Sequence, residues 1–194
     1  KSMVYNFSLI ANEKRGRRKK MPERIEVTKM KQNSNDREYV IENVKKEGAL
    51  LEFASEELRD DKEIVSEAIH NNPEALEFAS DRLKDNKELM LLAIKGAPWT
   101  ACYASETLRA DKEVILSSVK SYGQTLYFAS TELRDDYDVV KAAVSNKGII
   151  VKYASLRLRD NEEIAKIAVS QNKGAFHYVS ERMKNDEEVK KLVE

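Results

Sequence analysis

Phe53-Ala54-Ser55-Glu56-Glu57-Leu58-Arg59-Asp60-Asp61 returns as Phe128-Ala129-Ser130-Thr131-Glu132-Leu133-Arg134-Asp135-Asp136. Between and beyond these copies the frame holds. An aromatic stands at Phe53, Phe78, Tyr103, Phe128, Tyr153 and Tyr178, always 25 residues apart. Ala-Ser follows in five copies and Val179-Ser180 in the sixth. Leu58, Leu83, Leu108, Leu133, Leu158 and Met183 come next, each followed by a basic residue from Arg59 to Lys184. A fixed period of this length marks a solenoid or array, in which each unit buries its apolar face only against its neighbours.

The apolar spacing within a unit is helical. Leu50, Leu51, Phe53, Ala54 and Leu58 predict a first helix over Ala49–Leu58; Ile64, Val65, Ala68 and Ile69 predict a second over Asp61–His70. Asp60 with Glu63 reads as a capping box at the start of the second helix. Asp85/Glu88, Asp135/Asp138, Asp160/Glu163, Asn35/Glu38 and Asn185/Glu188 repeat it, and Ala110/Glu113 predicts a third unit without that cap. Gly48, Gly123 and Gly148 read as left-handed C-caps. Pro73 and Pro98 stand in the same place and suit the first turn of a helix. The recurring serine is expected to bond a backbone carbonyl one turn earlier or on the adjacent turn. The fold class is therefore all-α: an α-solenoid of 25-residue helix-turn-helix repeats, about six and a half units. A ten-residue helix spans about 15 Å and is marginal alone, so stability must come from stacking.

The array occupies residues 36–194. Residues 21–35 take the place of a first helix but carry Thr28 where the aromatic belongs, and read as an N-terminal capping segment. Residues 1–20 form a basic tail or linker. They hold seven of the 34 Lys/Arg and one of the 34 Asp/Glu, so the tail carries +6 and the remainder −6. Met21-Pro22-Glu23 has the form of a native start, which would make that tail foreign to the protein.

The repeat core Tyr/Phe-Ala-Ser-x-x-Leu-Arg-x-Asp-x-Glu-Val/Ile-Val, as in Phe53–Val65 and Phe128–Val140, resembles the helical repeat family called domain of unknown function 4116. The resemblance covers about residues 36–194. It implies a helical repeat fold in modules of bacterial, protist and viral proteins, some from intracellular bacteria, and brings no catalytic residues with it.

Chemistry-bearing residues are few. Cys102 is the one cysteine, which excludes an internal disulfide and weakly favours a reducing intracellular compartment. The histidines are His70 and His177. Cys102 and His177 share a repeat position three units apart, about 30 Å at 9–10 Å per helix layer, which argues against a Cys/His pair. No phosphate-binding glycine loop and no metal-ligand cluster is visible. The carboxylates suit helix N-termini. The expectation is a protein that is not an enzyme, with no cofactor and no metal. No apolar run approaches a membrane span.

Two surfaces are candidate contacts. The first is a strip of varying positions spaced i, i+3 and i+7. It reads Ala49, Glu52, Glu56 and Glu74, Glu77, Asp81 in units 1 and 2. Units 3 to 5 carry Trp99, Cys102, Glu106; then Gln124, Tyr127, Thr131; then Ile149, Lys152, Leu156. The strip thus turns from acidic to apolar and aromatic, the composition of a binding hot spot, and a protein partner is expected on Trp99, Tyr127, Ile149, Lys152 and Leu156. This makes a protein-protein interaction scaffold the first reading, free, as a module of a larger protein, or as a host-directed effector. The second surface is the basic arm Lys14, Arg15, Arg17, Arg18, Lys19 and Lys20, which gives the alternative reading: nucleic acid bound through residues 14–20. A chain beginning at Lys1 rather than Met leaves room for a third, an enzyme with its active site in an upstream domain.

Overall fold

The computed structural model describes residues 25–194, where every regular element is helical. The expected basic tail and the start of the expected cap lie outside the described residues. A helix over Ile25–Gln32 fills the capping position, and Met30 is buried beneath the first unit.

Unit 1 shows the repeating plan. A six-residue 3-10 helix, Gly48–Phe53, ends at an extended pair, Ala54-Ser55. A one-turn α-helix, Glu56–Arg59, follows, and then a ten-residue α-helix, Lys62–Asn71. The expected single helix over Ala49–Leu58 is therefore broken in two. The cause is Ser55: its φ of −61° and ψ of 160° are those of an N-cap, and its hydroxyl accepts from the Leu58 N–H. Serine competes with the helix for its own backbone and favours this place. The 3-10 helices that open the later units are Pro73–Phe78, Pro98–Tyr103, Gly123–Tyr127, Gly148–Tyr153 and Lys173–Tyr178, and in unit 4 a further one, Leu133–Asp135, takes the place of the one-turn α-helix.

Long helices stack on long helices and 3-10 helices on 3-10 helices from unit to unit. In units 1 to 5 each long helix buries four residues facing its neighbours: Ile64, Val65, Ala68, Ile69 in unit 1 and Val139, Val140, Ala143, Val144 in unit 4. Burial of each larger aliphatic side chain contributes about 1.5–3 kcal/mol. The apolar core is divided between Val114 and Ile115. Near the division lie buried hydroxyls: Ser118 donates to the Pro98 carbonyl at 2.7 Å and meets Thr125 at 2.5 Å.

The long helices are capped one residue later than the sequence spacing suggested. Asp36, Asp61, Asn86, Asp111, Asp136, Asn161 and Asp186 are the N-caps, each accepting from the N–H three residues on. Unit 3 keeps its cap through Asp111, contrary to expectation, because Ala110 is not the capping position.

Asp60 and its equivalents instead face the next unit. The Ser80 hydroxyl donates to the Asp60 carboxylate while also accepting from Leu83 N–H, and the Ser80 N–H donates to the Arg59 carbonyl at 3.0 Å. Arg82 adds its Nε to the same carboxylate at 3.0 Å and its Nη2 to the Asp60 carbonyl at 2.7 Å. Ser155 with Arg157 on Asp135, and Ser180 with Arg182 on Asp160, repeat this clamp. Ser105 meets Asp85 without an arginine. At the junction of units 3 and 4 the clamp is missing on both sides: Ala110 replaces the carboxylate and Glu132 replaces the arginine. That junction keeps the Ser130-to-Arg109 backbone bond at 2.9 Å and the Lys112 pairs with Asp136 and Asp138.

The glycines are also explained by neighbours. No described residue has a positive φ, so none is a left-handed cap. A Cβ on Gly48 would lie 2.3 Å from the Ala68 carbonyl oxygen, and one on Gly148 would lie 2.1 Å from that of Ala168. The Gly48 N–H donates to the Asn71 side chain, Gly123 to Asn146 and Gly148 to Gln171. Unit 2 starts with Pro73, as expected at a first turn, and Pro has no N–H to satisfy. The residue in the amide's place is Gly96, whose Cβ would strike the Pro73 ring at 2.4 Å.

Two outcomes are expected. Ala110→Asp with Glu132→Arg should raise the midpoint of thermal unfolding above the sum of the single changes, since each alone adds a charge without its partner; additive effects would count against the clamp. The clamp also predicts acid sensitivity. Hydrogen bonds from Ser80 and Arg82 hold Asp60 below the ordinary 3.8, as Ser155 and Arg157 do for Asp135, and Ser180 does for Asp160. Carboxylates lowered on folding give stability that is complete above the ordinary value and is lost as pH falls through the lowered ones. The unfolding midpoint should therefore stay level from about pH 7 to 5 and fall below about pH 4, with a shallower acid limb in Asp60→Asn.

Candidate functional site

The varying strip is positioned by the 3-10 helices. At three residues per turn, side chains at i and i+3 eclipse, so Trp99 lies above Cys102, Gln124 above Tyr127 and Ile149 above Lys152. The third position, such as Leu156, belongs to the separate one-turn helix beyond the extended pair, except in unit 4, where Thr131 stands in a turn ahead of a 3-10 helix over Leu133–Asp135. The strip is thus two short elements side by side, and its sequence premise of one α-helical face is corrected.

The five expected contact residues differ in their surroundings. Leu156 is 76% exposed, Trp99 42%, and Lys152 is exposed. Tyr127 is half-buried and meets Tyr153 edge-on at 4.9 Å between ring centroids. Ile149 is half-buried against the core of units 4 to 6. Trp99 Nε1 donates to Glu74 at 2.8 Å, which ties it to unit 2. Lys152 Nζ stands 4.8 Å from the Tyr153 ring centroid and 5.9 Å from that of Tyr178, within cation–π range. Leu156, Arg159, Tyr178, Val179, Ser180 and Glu181 line a shallow depression of about 230 Å³. The structure therefore brings Tyr127, Lys152 and their aromatic neighbours together and sets Leu156 at the lip of a depression, with Trp99 bonded toward the acidic end.

A set of residues that the sequence reading treated as scaffold also belongs to this face. Arg59, Arg109, Arg134 and Arg159 are half-buried, and the Nε of each is out of contact with solvent and without an acceptor among the described residues. The recurring Leu-Arg was visible, but periodicity alone made it look structural. Arg109 Nη2 donates to the Cys102 carbonyl at 3.2 Å, and its guanidinium lies 5.8 Å from the Phe128 ring centroid.

The other chemistry-bearing groups have ordinary settings. Burial, and next the Glu77 charge, push the Cys102 thiol up to about 12. The His70 Nδ1 meets the Ser66 carbonyl at 2.8 Å. Among the described residues no three His, Cys, Asp or Glu side chains are placed to hold a metal ion. No helix among them is long and apolar enough to cross a membrane. The basic arm Lys14–Lys20 lies outside the described residues.

A stack of repeating short helices joined by junction bonds places the chain in the class of helical repeat solenoids. Family matches to the domain of unknown function DUF4116 run over residues 36–84, 61–109, 86–134, 111–159, 136–184 and 161–192, each overlapping the next. The chain belongs to that family. No curated protein and no solved structure matches it.

The state of the thiol is directly measurable. A thiol raised to about 12 holds about a thousandfold less thiolate at pH 8 than a free cysteine. Alkylation of Cys102 by iodoacetamide in the folded chain should be slower by a similar factor and recover in denaturant. A rate equal to that of a free thiol would refute this.

Proposed function

We propose that the chain is a non-catalytic protein-protein interaction scaffold whose partner lies across Trp99, Tyr127, Ile149, Lys152 and Leu156. The observation that carries this reading is the change along one strip, from carboxylates in units 1 and 2 to an aromatic cluster beside an exposed Leu156 in units 4 and 5. A leucine left 76% exposed next to a depression forgoes burial that a partner would supply. Tyr127 and Ile149 already rest on the body, so they offer pre-ordered area at small entropic cost. The absence of catalysis is part of the proposal. The buried, raised thiol of Cys102 and its separation by three units from His177 support it.

A photo-activated cross-linker placed at position 156 should join a partner that the same group at position 56, in acidic unit 1, does not. With that partner in hand, Leu156→Glu and the pair Trp99→Ala with Tyr127→Ala should each weaken binding by about tenfold or more. Equal adducts at 56 and 156, or affinities unchanged in both variants, would sink the reading.

A further inference from the structure

We propose that the arginines of units 3 to 5 form a docking track for an extended, acidic polypeptide segment, its carboxylates seated on Arg109, Arg134 and Arg159. This rests on the scaffold reading and adds the chemistry of the partner.

The junction cations are mostly paired within the chain. Arg37 holds Asp61 and Glu63, Lys62 holds Glu88, Lys87 holds Asp111 and Glu113, and Lys112 holds Asp136 and Asp138. Arg82, Arg157 and Arg182 are in the clamps. Lys84 and Lys184, which share the repeat position of the four arginines, pair with Asp81 and Glu181. Arg109, Arg134 and Arg159 make no ion pair among the described residues, although folding has half-buried them. A guanidinium removed from part of its hydration and given no carboxylate is a ready receptor for one. Arg159 is accessible, since it lines the depression beside Leu156.

The surroundings fix the sign of the partner. In units 1 and 2, on either side of Arg59, the strip carries Glu52, Glu56, Glu74, Glu77 and Asp81. In units 4 and 5 those positions are Gln124, Tyr127, Thr131, Ile149, Lys152 and Leu156, without a carboxylate. Of the other acids of units 3 to 6, Glu106 lies on the strip of unit 3, Glu132 is turned back onto Ser130, Glu181 is paired with Lys184, and Asp135 and Asp160 are held in the clamps. A local positive face on a body of net charge −6 selects a short acidic segment over a long polyanion, which the rest of the body repels.

The spacing fixes the form of that segment. Packed helices stand about 8–10 Å apart, so successive arginines rise by about that distance. A polyproline II strand has three residues per turn and rises about 3.1 Å per residue, or about 9.3 Å per turn. An acidic residue at every third position therefore presents one carboxylate to each arginine. The side chains between meet Leu156, Ile149 and the aromatic cluster, contacts that favour a peptide over a nucleic acid phosphate chain.

The test uses the whole chain and a fluorescein-labelled peptide of four Pro-Leu-Glu triplets, with binding read by anisotropy. Binding should occur, weaken with added salt, and drop about tenfold in Arg134→Gln/Arg159→Gln, while Arg134→Lys/Arg159→Lys retains most of it and Arg37→Gln is neutral. Replacing every Glu of the peptide with Gln should abolish binding, which tests the charge without altering the protein. The same residues rearranged with Glu at every second position should bind more weakly. Absent binding at low salt, equal binding of the Gln peptide or the rearranged peptide, or tighter binding of an oligothymidylate would overturn the proposal. So would a partner captured at position 156 that is weakened by Leu156→Glu but indifferent to Arg134→Gln/Arg159→Gln, a result that leaves the scaffold reading standing. Arginine-dependent peptide binding with no adduct at 156 would uphold the track and remove the scaffold strip.

Discussion

Units 2, 5 and 6 are each fastened to the unit before by a serine with three bonds. Its hydroxyl oxygen accepts from the first turn of its own one-turn helix, its hydroxyl hydrogen goes to an aspartate of the preceding unit, and its N–H goes to the carbonyl of the arginine just before that aspartate. One small side chain thereby ends the 3-10 helix, starts the next helix and sets the register between layers. The apolar core supplies the larger share of the energy, but hydrophobic burial is not directional. The serine node supplies the direction, which is why a chain of very short helices stacks without slipping.

The second recurring constraint is close backbone approach. Gly48, Gly123 and Gly148 bring the start of a 3-10 helix against the carbonyl of a long helix, and an Asn or Gln satisfies the N–H exposed there. Unit 2 solves the same problem with Pro73 and Gly96, by removing the donor and the side chain together. These substitutions are correlated across 23 residues of sequence because they touch in space. The same correlation appears at the junction of units 3 and 4, where Ala110 and Glu132 are exchanged as a pair.

Function was less legible than fold. The strip carrying Trp99, Tyr127, Ile149, Lys152 and Leu156 could be picked out because it varies against an unvarying frame. Its supporting arginines could not, since a basic residue present in every copy looks like scaffold until its partners are counted. Arg82 and Arg109 are alike in sequence as exposed-looking basic residues after a serine. In the fold one is locked to Asp60 and the other makes no ion pair among the described residues.

The 25-residue period, the helical class, the half unit at the start of the array and the inward placing of the aliphatic residues were all determined by the sequence alone. They are consequences of periodicity, which is a one-dimensional property. The caps illustrate what was not. Asp60 and Asp61 are adjacent, both precede a helix, and either fits a capping pattern by spacing. Only the position of the next unit decides that Asp61 turns inward to cap while Asp60 turns outward to hold Ser80. Spacing likewise does not reveal that the glycines are not left-handed caps or that the first helix is in fact two. The glycines depended on how near the neighbouring backbone comes, a distance that arises only when the layers are stacked, whereas the break in the first helix is made locally by the Ser55 cap, which apolar spacing does not register.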